Sequence, residues 1–159
     1  MQDLLPLAEK IGGLLKARKE TIAIAESSTG GLISASLLSV AGASAYFMGG
    51  SVIYTRTART VLMGITPETM QGNRASTEFY ARLLSNTVRE KFATNWGIGE
   101  TGATGPTGNS YGDAPGHCCY AISGPVNAAF TLETGKPDRV ENMRLFARAV
   151  LEQLAKALG

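Results

Sequence analysis

The sequence predicts an α/β protein, a three-layer α/β/α sandwich with a mixed sheet. Short β-rich runs alternate with helical periodicity along the whole length, amphipathic helical patterns open and close the chain, and two late strand-like runs lie close enough to pair as a hairpin. Strands alternating with helices build parallel pairs, and the hairpin adds an antiparallel one.

Taken in order, Leu4, Leu5, Leu7, Ile11, Leu14 and Leu15 recur at helical spacing over residues 3–18, with Lys10, Lys16 and Lys19 offset from them. Gly12 and Gly13 weaken the middle of this helix, yet the apolar spacing passes through them. Residues 21–25 form a short β-rich run that ends at the turn Glu26-Ser27-Ser28-Thr29-Gly30-Gly31, after which residues 32–38 resume with helix formers. The turn therefore stands at a helix N-terminus, where unpaired N–H groups and the helix dipole favour a negative ligand. Simple N-capping by Ser28 or Thr29 is the plainer role for the same hydroxyls.

After Gly49-Gly50, residues 51–54 read as a second strand, followed by a short helix carrying Ala58, Arg59, Val61 and Leu62. Thr66-Pro67-Glu68 has the form of an N-cap with proline in the first turn. A longer helix from Ser76 is expected to bury Phe79, Leu83, Val88 and Phe92. Residues 95–99 read as a third strand leading through Glu100 into a second glycine-rich turn, Thr101-Gly102-Ala103-Thr104-Gly105-Pro106-Thr107-Gly108. Residues 117–122 and 128–134 make the expected hairpin around Gly124-Pro125. Asp138-Arg139-Val140-Glu141 resembles a capping box, opening a last helix whose apolar stripe is Met143, Phe146, Val150, Leu151, Leu154 and Leu158.

At 159 residues, 44% hydrophobic and 18% charged, the chain is long enough for one well-cored domain over residues 1–159 and too apolar for disorder. A net charge of +2, with Lys and Arg scattered among acidic residues, gives no basic stripe and no basic–aromatic platform, so nucleic acid is not an expected partner. A small anion is compatible with it. Cys118 and Cys119 are adjacent in a strand and point to opposite faces, and His117 has no second ligand at metal spacing. All three are read as structural, with no metal site expected. The start has no cleavable apolar stretch and no run reaches membrane-spanning length, so a cytoplasmic protein without a membrane partner is expected.

The two glycine-rich turns carry the functional signal, because each follows a strand and crowds small hydroxyls onto flexible backbone. The second is neither a Walker loop nor a dinucleotide fingerprint.

Four stretches together carry a resemblance: Ala25-Glu26-Ser27-Ser28-Thr29-Gly30-Gly31, Gly42-Ala43-Ser44-Ala45-Tyr46-Phe47, Gly50-Ser51-Val52-Ile53-Tyr54 and Thr101-Gly102-Ala103-Thr104-Gly105-Pro106. In order and spacing, over nearly the whole chain, they are similar to the CinA C-terminal domain family. The resemblance implies a nicotinamide-nucleotide amidase, hydrolysing the carboxamide of nicotinamide mononucleotide to the acid and ammonia without a cofactor. It makes Ser27 the nucleophile and matches Tyr54 and Thr101 to supporting hydroxyls. Turn residues Ser28, Thr29, Gly30 and Gly31, with Gly102, Ala103, Thr104 and Gly105, would offer donors to the oxyanion or the phosphate. Arg139 stands where the family has an arginine suited to bidentate phosphate binding. Some members add an N-terminal domain, and this chain corresponds to the C-terminal unit. The expected partner is a pyridine nucleotide, and the many apolar helical faces suit a homo-oligomer.

One departure divides the functional reading. Where the family has Y-S-N-E-A-K, with the lysine as general base, this chain reads Tyr54-Thr55-Arg56-Thr57-Ala58-Arg59. An arginine, with a pKa above about 12, does not give up its proton in a protein. Either Tyr54, a water or Lys136 takes over as base with Arg59 holding negative charge, or the chain is a catalytically weakened nucleotide-binding protein. A third reading, an interaction module that keeps the glycine turns for folding, leaves the hydroxyl cluster without a role.

Overall fold

Large and small side chains alternate along the central strands, and that alternation decides how the layers stack. The computed structural model describes residues 1–159. In β1 (Ile22–Glu26), Ile22 and Ile24 join one core while Ala23 and Ala25 join another. Strand β3 (Trp96–Ala103) sends Trp96 and Ile98 to the first side, and β4 (His117–Ser123) sends Cys118, Tyr120 and Ile122 there, leaving Cys119 and Ala121 opposite.

The large-residue face is covered by α1 (Leu5–Arg18), α2 (Leu32–Leu38) and α6 (Arg139–Leu158), whose Ile11, Leu15, Ile33, Leu37, Phe146 and Val150 complete the main core. Against the small-residue face lies α5 (Glu78–Phe92). A Cβ at Gly99 would run into the carbonyl oxygen of Ala81, so only glycine lets that helix sit so close. Two short helices, α3 (Arg56–Met63) and α4 (Pro67–Met70), finish this layer through Met63 and Met70, packed with Tyr80, Leu84 and Val88.

The five-stranded sheet has the order β2-β1-β3-β4-β5, where β2 is Phe47–Val52 and β5 is Ala128–Glu133. β1 is parallel to both β2 and β3, while β4 runs antiparallel to β3 and β5 to β4, so the sheet is mixed and the layers are three. From β1 the chain goes to β2 on one side, then crosses over to β3 on the other. The loops leaving β1 and β3 therefore diverge from one crevice at the strands' C-terminal ends, where open α/β sheets take their ligands. No helix is long and apolar enough to cross a membrane.

Several boundaries differ from the sequence expectation for physical reasons. β2 begins at Phe47 and ends at Val52, taking Gly49-Gly50 into the strand and leaving Tyr54 beyond it. The Phe92 ring lies over Gly49, which is why Phe92 is 40% exposed instead of buried in the α5 face. That face consists of Tyr80, Ala81, Leu84, Ser85 and Val88, and the helix starts after Thr77, whose side chain accepts from the Tyr80 N–H. β3 continues to Ala103 because β4 pairs with Thr101, Gly102 and Ala103, so the first three residues of the expected second turn are strand. Asp138 does cap α6, accepting from the Glu141 N–H at 2.7 Å, but the Glu141 carboxylate pairs with Lys136.

Candidate functional site

Two fully buried acids form the floor of the crevice. Glu26, last residue of β1, accepts from the N–H groups of Gly31, Ile33 and Ser34 at 3.1, 3.1 and 2.9 Å. A carboxyl group thus occupies the α2 N-terminus that the sequence offers to a ligand, and it does the capping expected of Ser28 or Thr29; the N-cap residue Gly31 has no side chain to do so. Glu100, on β3, reaches across to the first turn and accepts from the N–H groups of Ser27 and Thr29 at 2.9 and 3.1 Å and from the Ser28 hydroxyl.

The Thr29 hydroxyl stands between the two acids, 2.6 Å from Glu26 Oε2 and 2.9 Å from Glu100 Oε2. One hydroxyl hydrogen serves only one of them at a time. Burial raises the Glu100 pKa above its ordinary value, opposed by the hydrogen bonds from Ser28, Thr29 and Ser27.

This network corrects the expected roles of four turn residues. The N–H groups of Thr29 and Gly31 and the hydroxyls of Ser28 and Thr29 are engaged by Glu26 and Glu100, and the Gly30 N–H bonds to the Ser27 carbonyl at 3.1 Å. None of the four lines the cavity that Ser27 faces. They build the floor and do not face a ligand there.

Ser27 differs from its neighbours. Its amide is pinned by Glu100, while its hydroxyl lies outside the carboxylate network and faces a cavity of about 200 Å³. Tyr54, Arg59, Thr101 and Gly102 line the same cavity, so the two loops and the segment after β2 do converge on one site. A second cavity of about 390 Å³ shares Arg56, Arg59 and Tyr111 with the first and adds Arg74. A third, about 240 Å³, shares Tyr54 and Gly102 and adds Ala103, Thr104, Gly105 and Arg139. No aspartate, glutamate, histidine or lysine lines any of the three. Four arginines surround a cleft that no acid lines, which gives it a positive local charge.

Arg139 donates from Nη1 to the Gly105 carbonyl at 2.7 Å and from Nη2 to the Tyr54 hydroxyl at 3.1 Å, tying the second loop to the segment after β2. Arg59 lies over the Tyr80 ring, 5.8 Å from its centroid, and its Nε is buried without a hydrogen-bond partner. Burial pushes the Tyr80 hydroxyl up to about 12, against the pull of the Arg59 charge. Lys136 is paired with Glu141 and lines a separate groove, which removes it as a substitute base.

Thr101 is held from behind. Its Oγ1 accepts from the Ser76 N–H at 3.1 Å, and Ser76 adopts a left-handed backbone (φ 57°). The Ser76 carbonyl in turn accepts from His117 Nε2 at 2.9 Å, while His117 Nδ1 bonds to the Glu133 carboxylate. Both partners are acceptors, so both bonds form only when the ring carries two protons. Burial lowers the His117 pKa, but the bonds to Glu133 and Ser76 and the Asp113 charge outweigh it, and the net shift is upward. His117 therefore stands behind a residue that faces the cleft and holds it through Ser76.

Sequence reasoning missed the roles of Glu26 and Glu100, although a signal was present: each acid immediately precedes a hydroxyl-rich turn in an otherwise apolar strand. Ser76, Tyr80, Arg74 and Tyr111 gave no such signal, because only tertiary packing brings them to the cleft.

A family model described as "CinA C-terminal domain" matches residues 4–158. The chain is 33% identical to a CinA-like protein of Desulfosudis oleivorans over 155 residues, 97% of this chain and 38% of the relative. It is 37% identical to one from a Picosynechococcus species over 127 residues, 80% of this chain and 30% of the relative, so it spans about a third of the length of these curated relatives. Among solved structures it is similar to the competence/damage inducible protein CihA from Agrobacterium tumefaciens, with TM-score 0.89, 28% identity and coverage of 98% and 95% of the two chains. A CinA superfamily protein from Klebsiella pneumoniae shares the fold, with TM-score 0.91 at 22% identity and coverage of 98% and 97%.

Proposed function

Because the chain belongs to the CinA C-terminal domain family, we propose that its cleft binds a pyridine nucleotide and that Ser27 hydrolyses the carboxamide of nicotinamide mononucleotide. The observation that carries this reading is the Ser27 hydroxyl, outside the buried carboxylate network and facing a cleft lined by arginines and no acids.

In this reading Ser27 Oγ attacks the carboxamide carbon while its proton passes to Tyr54 or a water. The oxyanion collapses with loss of the C–N bond, and the leaving nitrogen takes up the proton released by Ser27 and departs as ammonia. Water then hydrolyses the ester on Ser27, releasing the acid and restoring the hydroxyl. Thr101, fixed by the Ser76 amide, is in position to orient the substrate, and Arg139 holds Tyr54 in place. Purified protein is expected to release ammonia from nicotinamide mononucleotide, and Ser27→Ala to lower the rate by at least about a thousandfold while leaving nucleotide binding intact. An unchanged rate in Ser27→Ala removes the serine mechanism.

One observation favours a second reading. The side chain in the base's place is Arg59, and the cavity's other titratable groups are Arg56 and the tyrosines. If the chain only holds the nucleotide, ligand raises the melting temperature without turnover, and Arg59→Lys gains ammonia release. Turnover by the wild type that depends on Ser27 decides for the hydrolase.

A further inference from the structure

We infer that the phosphate of the nucleotide docks in the second cavity, on Arg56 and Arg59, and not on Arg139. This rests on the reading of the cleft as a nucleotide site. The four cleft arginines differ in how far their charges are already used. Arg139 spends two donors on the Gly105 carbonyl and the Tyr54 hydroxyl, bracing the wall. Arg74 is neutralised by Asp113 through two bonds, Nη1 to Oδ2 at 2.6 Å and Nη2 to Oδ1 at 3.0 Å.

Arg56 and Arg59 pair with no carboxylate within 4.0 Å. They stand three residues apart on α3, the spacing that brings side chains together on one helix face, and both line the central and the second cavity. Arg59 also buries an Nε–H that nothing accepts. A buried donor without an acceptor is costly, and a phosphate oxygen meets that need with a charge-assisted bond. The second cavity, about 390 Å³, opens directly off the one that holds Ser27. A phosphate there leaves the pyridine ring for the Ser27 side.

The test measures calorimetric affinities for nicotinamide mononucleotide and for nicotinamide riboside, the same molecule without its phosphate. Wild type is expected to prefer the mononucleotide by about tenfold or more. Arg56→Gln, a change at an exposed position, and Arg59→Gln should each remove most of that preference. Arg59→Lys, which keeps the charge, should retain part of it, and Arg139→Gln should weaken both ligands alike. The inference is overturned if the preference survives in Arg56→Gln and Arg59→Gln and disappears in Arg139→Gln. If neither pyridine ligand binds the wild type, the nucleotide reading fails separately. Inorganic phosphate then decides the subsite: it should raise the melting temperature of the wild type and not of the Arg56→Gln, Arg59→Gln double variant. No rise in the wild type, or an equal rise in both, overturns it.

Discussion

At the scale of single residues, the protein uses ionisable side chains as internal fasteners. His117 binds the Glu133 carboxylate and the Ser76 carbonyl at once, and Ser76 in turn holds Thr101 at the cleft. Its folded pKa is raised from 6.5, so the native state holds this proton more tightly than the unfolded chain. The resulting stabilisation is complete below about pH 6.5 and is lost as pH rises through the folded value. Urea midpoints of wild type and His117→Gln are therefore expected to converge as pH is raised above 6.5, and a constant separation across that range would contradict the doubly protonated ring. From sequence the histidine is legible only as lacking a metal partner. Its acceptors, at residues 133 and 76, come from a strand pairing and a loop that no local pattern announces.

At the scale of elements, α5 and the sheet are bound by what is missing from the strands. Ala23, Ala25, Gly99, Cys119 and Ala121 make a shallow face on which a helix rests with its backbone close to β3. Gly99→Ala places a methyl group against the Ala81 carbonyl, and overpacking of this kind costs about 1–3 kcal/mol. A lower denaturant midpoint with an unchanged slope is the expected result, and wild-type stability in this variant would show that the helix can lift without cost. Helix identities were legible because apolar spacing reports them directly: residues 32–38 and the Asp138 cap came out as read. Strand ends were not. Glycine at 49 and 102 looks like a turn in isolation, and only a ring lying over one and a partner strand beside the other keep them extended.

At the scale of the whole molecule, a chain with a net charge of only +2 gathers four arginines and no acid around one cleft. Composition alone hides this, because the positive field is local: of the four arginines only Arg74 meets a carboxylate, that of Asp113. Association of nicotinamide mononucleotide is expected to slow as ionic strength rises from about 0.01 to 0.15 M, over which the screening length falls from roughly 30 to 8 Å. Stopped-flow rates independent of salt would argue that the arginines do not face the approaching ligand. The three-layer order and the convergence of two glycine-rich loops were legible, since strands followed by turns at helix starts lead to one crevice. The use of the first loop was not, because its donors are consumed from within. Glu100 reaches from β3 to grip the amides of Ser27 and Thr29, so the central strands and the serine move as one body. Any adjustment to a guest must then come from the outer rim, where Tyr111 stands exposed, making the serine an anvil and that tyrosine the part that yields.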